Sequence, residues 1–262
     1  MNDIQLPFLP ERPPKPRNSG ISMVMDKGLS LREAEDFINT SADLTDFVKL
    51  GFGTSVVTPK VRDKVRLYRQ ANIKVHAGGT LFEAFLVRNM FDEYRKYIDA
   101  LDLDAIEISD GSMIMDHDEK CKYIQVLSKT HLVLSEVGSK EAGILISPHR
   151  WTEMMVSELQ AGSFKVIAEA RESGTVGIYR PSGKAHTTLI NRILVKVAIE
   201  NIIWEAPLKS QQAWFIKQFG ANVNLGNIAP HEMIPLETLR LGLRGDTFFQ
   251  FLPEKFDKFK PE

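Results

Sequence analysis

The chain contains very little cysteine: Cys121 is the only one among its 262 residues. One thiol cannot form a disulfide within the chain, and a reducing, cytoplasmic setting fits such cysteine usage. Long apolar runs are also missing, since none approaches the roughly 18 residues that a membrane-spanning helix needs. The first twenty residues lack the apolar core of a signal peptide. We therefore predict a cytoplasmic protein with no membrane partner.

An excess of one charge is absent as well. Lysine and arginine number 33, aspartate and glutamate 34, and the net charge is −1. Without a basic excess the sequence gives no indication of a nucleic-acid partner. The sequence has no HxH or HExxH spacing, which argues against a zinc site, and no GxSxG elbow, Walker loop or GxGxxG. Hydrolase, kinase and dinucleotide-binding functions are therefore disfavoured.

What recurs instead is a short apolar run that ends near an ionisable residue and is followed by a helix-like stretch. The starts of these runs lie roughly 22–37 residues apart, enough for one strand, one helix and two loops. The runs are ISMVMDK at 21–27, DFVKLG at 46–51, IKVHAGG at 73–79, AIEISDG at 105–111, HLVLSEVG at 131–138, FKVIAEAR at 164–171, NIIWEAP at 201–207 and NVNLGNI at 222–228. Eight such units predict an α/β fold, a (β/α)₈ barrel with a closed sheet of eight parallel strands and outer helices.

The regular spacing favours one domain over two. We assign residues 20–250 to the barrel, residues 1–19 to a proline-rich arm and residues 251–262 to a C-terminal tail. Five prolines among the first sixteen residues predict an extended arm that lies on the barrel or on a neighbour. A disordered tail is the alternative interpretation.

Four glutamates, Glu107, Glu136, Glu169 and Glu205, lie near the ends of four consecutive predicted strands. In a barrel these ends converge on one mouth, where the active site lies. Clustered carboxylates repel each other unless a cation neutralises them. The cation could be a divalent metal such as Mg²⁺, which prefers oxygen ligands. It could also be a basic side chain at a strand end, namely Lys27, Lys49, Lys140 or Arg171. A lattice of ion pairs without catalysis is the alternative.

Phosphate is a second predicted ligand of the mouth. In barrels the loops after strands seven and eight often bind phosphate through backbone N–H groups and a helix N-terminus. The candidates here are the turn at 225–227, the helix start at 209–211, and Arg171 with Ser173. Taken singly, each of these signals is weak, since a glycine in a loop is more often part of an ordinary turn.

Nine strings together resemble the phosphosulfolactate synthase family from about residue 20 to 248. They are MDKG at 25–28, DFVKLGFGTS at 46–55, GGTLFE at 78–83, EISDGS at 107–112, SEVGSK at 135–140, EARESG at 169–174, WEAPLKSQQ at 204–212, VNLGNIA at 223–229 and LETLRLGLRGDTF at 236–248. The chain has SK where the family pattern has KK after EVG. A related branch, the heat-stress-associated plant proteins, shares much of the pattern and is associated with heat tolerance.

The resemblance implies a carbon–sulfur lyase whose small-molecule substrates are phosphoenolpyruvate and sulfite. Its Mg²⁺-dependent reaction gives (2R)-phospho-3-sulfolactate, which leads to coenzyme M in some organisms. It implies Lys140 as the general acid. Lys27, Lys49 and Arg171 would then bind the substrate anions, and Glu107, Glu136 and Glu169 are the metal candidates. The phosphate argument adds Ser173, Lys209, Gly226 and Asn227 to the predicted substrate-binding residues. We also expect a homo-oligomer. A barrel lyase or aldolase acting on another phosphorylated small acid, and a non-catalytic heat-stress-type protein, are the alternatives.

Overall fold

The computed structural model describes residues 6–138 and 147–260, and they form a sheet of eight parallel strands surrounded by helices. The strands are β1 Ser22–Asp26, β2 Phe47–Leu50, β3 Lys74–Ala77, β4 Ala105–Ile108, β5 Leu132–Val137, β6 Lys165–Ala168, β7 Ile202–Glu205 and β8 Leu225–Ile228. Their spatial order is β3-β2-β1-β8-β7-β6-β5-β4, and the two end strands, β3 and β4, lie in contact with each other. The predicted (β/α)₈ barrel is confirmed.

Helices connect these strands on the outside of the barrel. They are α1 Leu31–Ser41, α2 Thr54–Val57, α3 Val61–Gln70, α4 Gly79–Leu86, α5 Phe91–Leu101, α6 His117–Leu127, α7 Pro148–Ala161, α8 Thr187–Leu194, α9 Lys209–Phe219 and α10 Met233–Arg240. Local sequence sets several helix ends. Ser30 and Glu33 form a reciprocal capping box at α1, and the Ser147 side chain accepts a hydrogen bond from the backbone of Arg150 at α7. Among the described residues no helix is both long and apolar enough to cross a membrane.

The junction between β3 and β4, here called the seam, differs from the other strand junctions in its hydrogen bonding. Neighbouring strands around the rest of the barrel share a backbone ladder, but among the described residues no such ladder joins β3 to β4. Asp104 connects them at the amino-terminal end: its N–H donates to the carbonyl of Val75 at 3.0 Å, and its Oδ2 accepts from the Val75 N–H at 3.0 Å. A side-chain carboxylate thus takes a place that a backbone acceptor normally fills.

The barrel interior has an apolar layer beneath a charged one. Side chains alternate between the two faces of a strand, so residues two apart point the same way. One interior cluster comprises Ile21, Met23, Phe47, Ala105, Leu134, Ile167 and Ile203. The charged residues two positions after its members on β2 and β4–β7 are Lys49, Glu107, Glu136, Glu169 and Glu205, all of them buried. The apolar layer therefore fills the barrel interior, and the charged layer lies next to it, toward the carboxyl ends of the strands.

The proline-rich arm runs along the amino-terminal end of the barrel, opposite the mouth. Arg12 is central to this contact, because its Nε donates to Glu237 of α10 at 2.8 Å and its guanidinium also donates to the carbonyl of Ala221 at 3.3 Å. Further along, the Lys15 ammonium donates to the carbonyl of Thr45 at 2.6 Å. Within the described part of the chain the arm is thus fixed to the barrel by charged hydrogen bonds.

Replacing Arg12 by alanine is expected to lower the free energy of unfolding by about 1–3 kcal/mol, because its partly buried charged hydrogen bonds are lost. Urea denaturation measures the change. Arg32→Ala is the matched control, since Arg32 is exposed on α1 and makes no ion pair within the described residues. Equal midpoints for the two variants would show that the arm does not stabilise the fold.

Candidate active site

A cavity of about 420 Å³ opens at the carboxyl-terminal mouth of the barrel. Its walls are Met25, Lys49, Phe52, Gly78, Thr80, Glu107, Ser112, Glu136, Glu169, Ala170, Arg171, Glu172, Ser173, Glu205 and Asn227. A larger hollow of about 1040 Å³ lies at the opposite end, between the arm and the strand starts, and none of the predicted site residues lines it. The predicted site residues therefore point to the smaller cavity, at the mouth, as the candidate active site.

The Lys49 ammonium lies among three strand-end carboxylates. Its Nζ is 2.8 Å from Glu107 Oε1, 3.3 Å from Glu136 Oε2 and 3.3 Å from Glu205 Oε1. All four side chains are buried. Burial by itself would lower the pKa of Lys49, but the carboxylates of Glu107, Glu205 and Glu136 raise it well above the ordinary lysine value. Lys49 therefore stays protonated and supplies a fixed positive charge to this cluster.

Backbone donors hold two of these carboxylates in place. The N–H of Gly79, at the start of α4, donates to Glu107 Oε1 at 2.6 Å, and the N–H of Ala170 donates to Glu205 Oε2 at 2.7 Å. A Cβ at position 79 would collide with the Ser109 side chain, so the close approach of α4 to the Glu107 carboxylate requires glycine.

One ammonium does not compensate three buried carboxylates. Burial raises the pKa of Glu205 to about 8, although Lys49 opposes the shift, and burial likewise raises the pKa of Glu107. His76 lies next to this cluster, with its Nδ1 3.5 Å from Glu107 Oε2. Burial and the nearby Lys49 lower the pKa of His76 to about 3, so the imidazole is neutral. The cluster thus retains excess negative charge or binds protons.

Glu205→Gln is expected to make the unfolding free energy less dependent on pH. A carboxyl whose pKa is raised on folding stabilises the folded state below its unfolded pKa, and that stability is lost as pH rises toward about 8. The variant should therefore gain stability relative to the parent chain between about pH 5 and pH 8. Denaturant midpoints across this range measure it, with the exposed Glu93→Gln as control. Parallel curves for parent and variant would contradict the raised pKa.

Lys27 lies at the rim of the mouth. It follows Asp26, whose buried carboxylate accepts hydrogen bonds from the backbone N–H groups of Gly28 and Leu29, both at 2.8 Å. The Lys27 ammonium forms an ion pair with Glu172, which belongs to the loop after β6. This pair links the loops that follow β1 and β6 across the mouth.

The structure brings most of the predicted site residues together. Lys49, Glu107, Glu136, Glu169, Arg171, Ser173 and Asn227 all line the mouth cavity. Gly226 lies beside its floor, where a Cβ would come within 2.6 Å of Met23 Cε. Lys209 begins α9 and forms an ion pair with Asp246 at 2.9 Å instead of lining the cavity. Lys140 lies outside the described residues.

Sequence reasoning did not assign several cavity residues to the site. Glu205 was recognised as a strand-end glutamate but was left out of the metal and substrate sets, although it contacts Lys49 directly. Its position two residues after an inward-facing Ile203 is the signal that identifies it. Thr80, Ser112 and Phe52 also line the cavity. They come from loops and helix starts, where no strand periodicity marks the direction of a side chain.

The carboxylate oxygens of the mouth suit a hard cation in their chemistry. Glu107 Oε2 is buried and accepts no hydrogen bond within the described residues, so one oxygen is available for a ligand. The same described part of the chain contains no preformed group of three or more histidine, cysteine, aspartate or glutamate ligands around a common point. Lys49 lies between Glu107 and Glu136 in this arrangement.

Known proteins resemble this chain over most of its length. The sequence model of the family described as (2R)-phospho-3-sulfolactate synthase matches residues 10–246. The chain is 44% identical over 252 residues to the phosphosulfolactate synthase of Bacillus subtilis, covering 95% of this chain and 100% of that protein. It is 41% identical over 244 residues to that of Methanothermobacter thermautotrophicus, covering 91% and 95%. The Arabidopsis thaliana protein HEAT-STRESS-ASSOCIATED 32 is only 19% identical, over 88% of each chain.

Solved structures support the fold alone. The 3-hexulose-6-phosphate synthase of Salmonella typhimurium superimposes with a TM-score of 0.54 at 14% identity, covering 86% of this chain and all of that one. The sequence relatives are far closer in identity, and their matches extend over nearly the whole chain. This chain belongs to the (2R)-phospho-3-sulfolactate synthase family of enzymes.

Proposed function

We propose that this chain catalyses the addition of sulfite to phosphoenolpyruvate, giving (2R)-phospho-3-sulfolactate. The proposal is supported chiefly by family membership over residues 10–246, together with a mouth cavity that combines basic and acidic side chains. Its two substrates are small anions, and a cavity of about 420 Å³ has the dimensions of a small-molecule site.

The reaction forms one carbon–sulfur bond and one carbon–hydrogen bond. The sulfur lone pair attacks the methylene carbon of phosphoenolpyruvate, and the electrons of the double bond move toward the substrate carboxylate. A proton then adds to the adjacent carbon from one face, which fixes the R configuration. Catalysis therefore requires stabilisation of the charge that develops on the carboxylate and a proton donor on one face.

We assign these tasks to different residues of the mouth. Arg171, Ser173 and Asn227 line the cavity and would bind anionic groups of the substrates. Lys49 is kept protonated by its three carboxylates, so it would contribute a fixed positive charge at the wall of the cavity. Lys140, which follows β5 closely in the sequence, is the proposed proton donor.

Glu107, Glu136 and Glu169 are the residues proposed to hold Mg²⁺. All three line the cavity, and their oxygens are the ligand type that Mg²⁺ prefers. When bound, the ion supplies positive charge that stabilises an enolate-like carboxylate. Two of them, Glu107 and Glu136, also contact the Lys49 ammonium.

Chelation is expected to abolish turnover, and added Mg²⁺ to restore it. Glu107→Gln and Glu136→Gln should each raise the Mg²⁺ concentration needed for half-maximal activity, because each loses a charged oxygen ligand. Calorimetric titration of the metal-free protein with Mg²⁺ gives a readout that does not depend on catalysis. The exposed Glu93→Gln is the control. Full activity in excess chelator would contradict the metal assignment.

The function is tested by incubating the folded protein with phosphoenolpyruvate, sulfite and Mg²⁺ and following the products by phosphorus NMR and mass spectrometry. A new phosphorylated sulfonate is expected, and none should form when sulfite is omitted. Circular dichroism confirms that the protein is folded under the assay conditions. A folded protein that gives no adduct would overturn the proposed function and favour a lyase that acts on another acid.

A further inference from the structure

Two buried side chains outside the barrel hold the backbone carbonyls of two mouth glutamates. The Lys120 ammonium, on α6, donates to the carbonyl of Glu136 at 2.6 Å. The Tyr179 hydroxyl, in the loop after β6, donates to the carbonyl of Glu205 at 2.7 Å. Lys120 is fully buried and Tyr179 is 4% exposed. The same feature therefore occurs at two strand ends whose side chains both contact Lys49.

The position of these carbonyls in the sheet explains why each needs a donor. β4 pairs with β5 as far as Ser135, and β6 pairs with β7 as far as Trp204. Glu136 and Glu205 each lie one residue beyond the last residue paired with the preceding strand. A buried carbonyl at such a position must find a donor outside the ladder, and a side chain supplies it in both cases.

The Lys120 ammonium is fully coordinated. Besides the Glu136 carbonyl, it contacts Glu158 Oε1 at 2.8 Å and Asp110 Oδ1 at 2.9 Å. An ammonium has three N–H donors, so these three oxygens fix its position. Burial opposes the charge, but Glu158 and Asp110 raise the pKa of Lys120 above its ordinary value. The carbonyl of Glu136 is thus held by a charged donor that connects α6, α7 and the loop after β4.

Tyr179 is held equally firmly. The N–H of its neighbour Ile178 donates to the carbonyl of Glu169 at 3.1 Å, and Tyr179 itself pairs with Ala185 across a short antiparallel bridge. Burial and the charge of Glu205 raise the pKa of Tyr179 well above its ordinary value. The hydroxyl therefore keeps its proton and remains a hydrogen-bond donor.

We propose that Lys120 and Tyr179 are positioning residues for the reaction. By holding the ends of β5 and β7, they keep the carboxylates of Glu136 and Glu205 at 3.3 Å from the Lys49 ammonium. Neither residue lines the mouth cavity. The kinetic part of the test rests on the proposed function, and a structural readout is independent of it.

The test compares two substitutions that each remove one buried hydroxyl. Tyr179→Phe deletes the donor to Glu205. Tyr94→Phe is the matched control, because Tyr94 is also fully buried and its hydroxyl makes no hydrogen bond within the described residues. We expect Tyr179→Phe to lower kcat about 10-fold or more with little change in KM, as displacements of catalytic groups do, and Tyr94→Phe to leave kcat unchanged. Similar losses in both variants would overturn the proposal.

A double-mutant cycle with Glu205→Gln tests whether Tyr179 acts through Glu205. If it does, Tyr179→Phe should lower kcat by a much smaller factor in the Glu205→Gln background than in the parent chain. If Tyr179→Phe instead lowers kcat by the same factor in both backgrounds, the hydroxyl has only a general structural role. That result would overturn the proposal for Tyr179.

The role of Lys120 is tested with a variant that is designed to keep the protein folded. Lys120→Met alone leaves buried Glu158 unpaired, so it is combined with Glu158→Leu, which removes both charges. The double variant should regain much of the thermal stability that Lys120→Met loses, yet its kcat should stay about 10-fold or more below that of the parent chain. Recovery of stability and turnover together would overturn the proposal for Lys120.

Crystal structures of the two tyrosine variants supply the independent readout. The distance from Lys49 Nζ to the Glu205 carboxylate should lengthen in Tyr179→Phe and stay the same in Tyr94→Phe. If the parent chain forms no adduct from phosphoenolpyruvate and sulfite, the proposed function fails and this distance decides the inference alone. An unchanged distance would overturn it.

Discussion

Lys140→Ala is expected to lower turnover by about 10²–10⁴-fold, the usual contribution of a positioned proton donor. Lys140 lies outside the described residues, and in the sequence it follows Val137, the last residue of β5, by three positions. KM should change less than kcat, because a group that acts in the transition state contributes little to substrate binding. Steady-state kinetics with phosphoenolpyruvate and sulfite measure both quantities.

Lys140→Arg is the informative control for this prediction. A guanidinium keeps the charge but does not release its proton, so arginine should not restore turnover if Lys140 is the acid. Restored turnover would show that Lys140 serves as a charge only. Near-normal turnover in Lys140→Ala would transfer the acid role to Lys27 or Lys49. Of these, Lys49 is the poorer donor, because its three carboxylates raise its pKa well above the ordinary value.

Lys49→Met is expected to lower the free energy of unfolding by about 3–5 kcal/mol and to eliminate activity, because it leaves buried carboxylates without their counter-charge. Lys49→Arg keeps the charge and should lose less stability. Urea denaturation measures the stability, and the adduct assay measures the activity.

Lys129→Met is the matched control, since Lys129 is exposed at the end of α6 and makes no ion pair within the described residues. A midpoint for Lys49→Met close to that of Lys129→Met would show that the carboxylates are neutralised in another way, for example by binding protons. In that case the stability of Lys49→Met should fall steeply as pH rises.

The barrel and its charged mouth could be predicted because both depend on local pattern. On β2 and on β4–β7 an inward apolar residue is followed two positions later by a charged one, as in Ile203 and Glu205. In a parallel barrel every such charge must lie at the same end. The family strings added the reaction and its candidate residues, which no periodicity supplies.

The partners of these charges could not be predicted in the same way. Which side chains meet inside a barrel depends on the stagger of the strands, which sequence spacing does not reveal. The sequence named Lys49 as only one of four possible counter-charges, and the structure places it among Glu107, Glu136 and Glu205. Lys120 and Tyr179 were not predicted either. They contact the strand ends from a helix and a loop outside the barrel, and sequence spacing does not reveal such contacts.

The seam between β3 and β4 makes this barrel, in hydrogen-bonding terms, a curled sheet with two edges. The helices α4 and α5 cover the seam, and the rings of Phe82 and Tyr94 pack there with centroids 5.5 Å apart. Side-chain packing and Asp104, rather than a ladder, hold the edges together among the described residues. Glu107 and the start of α4 lie beside this seam, at the mouth. A change in mouth width along this line would therefore strain the Asp104–Val75 and Gly79–Glu107 hydrogen bonds and no backbone ladder.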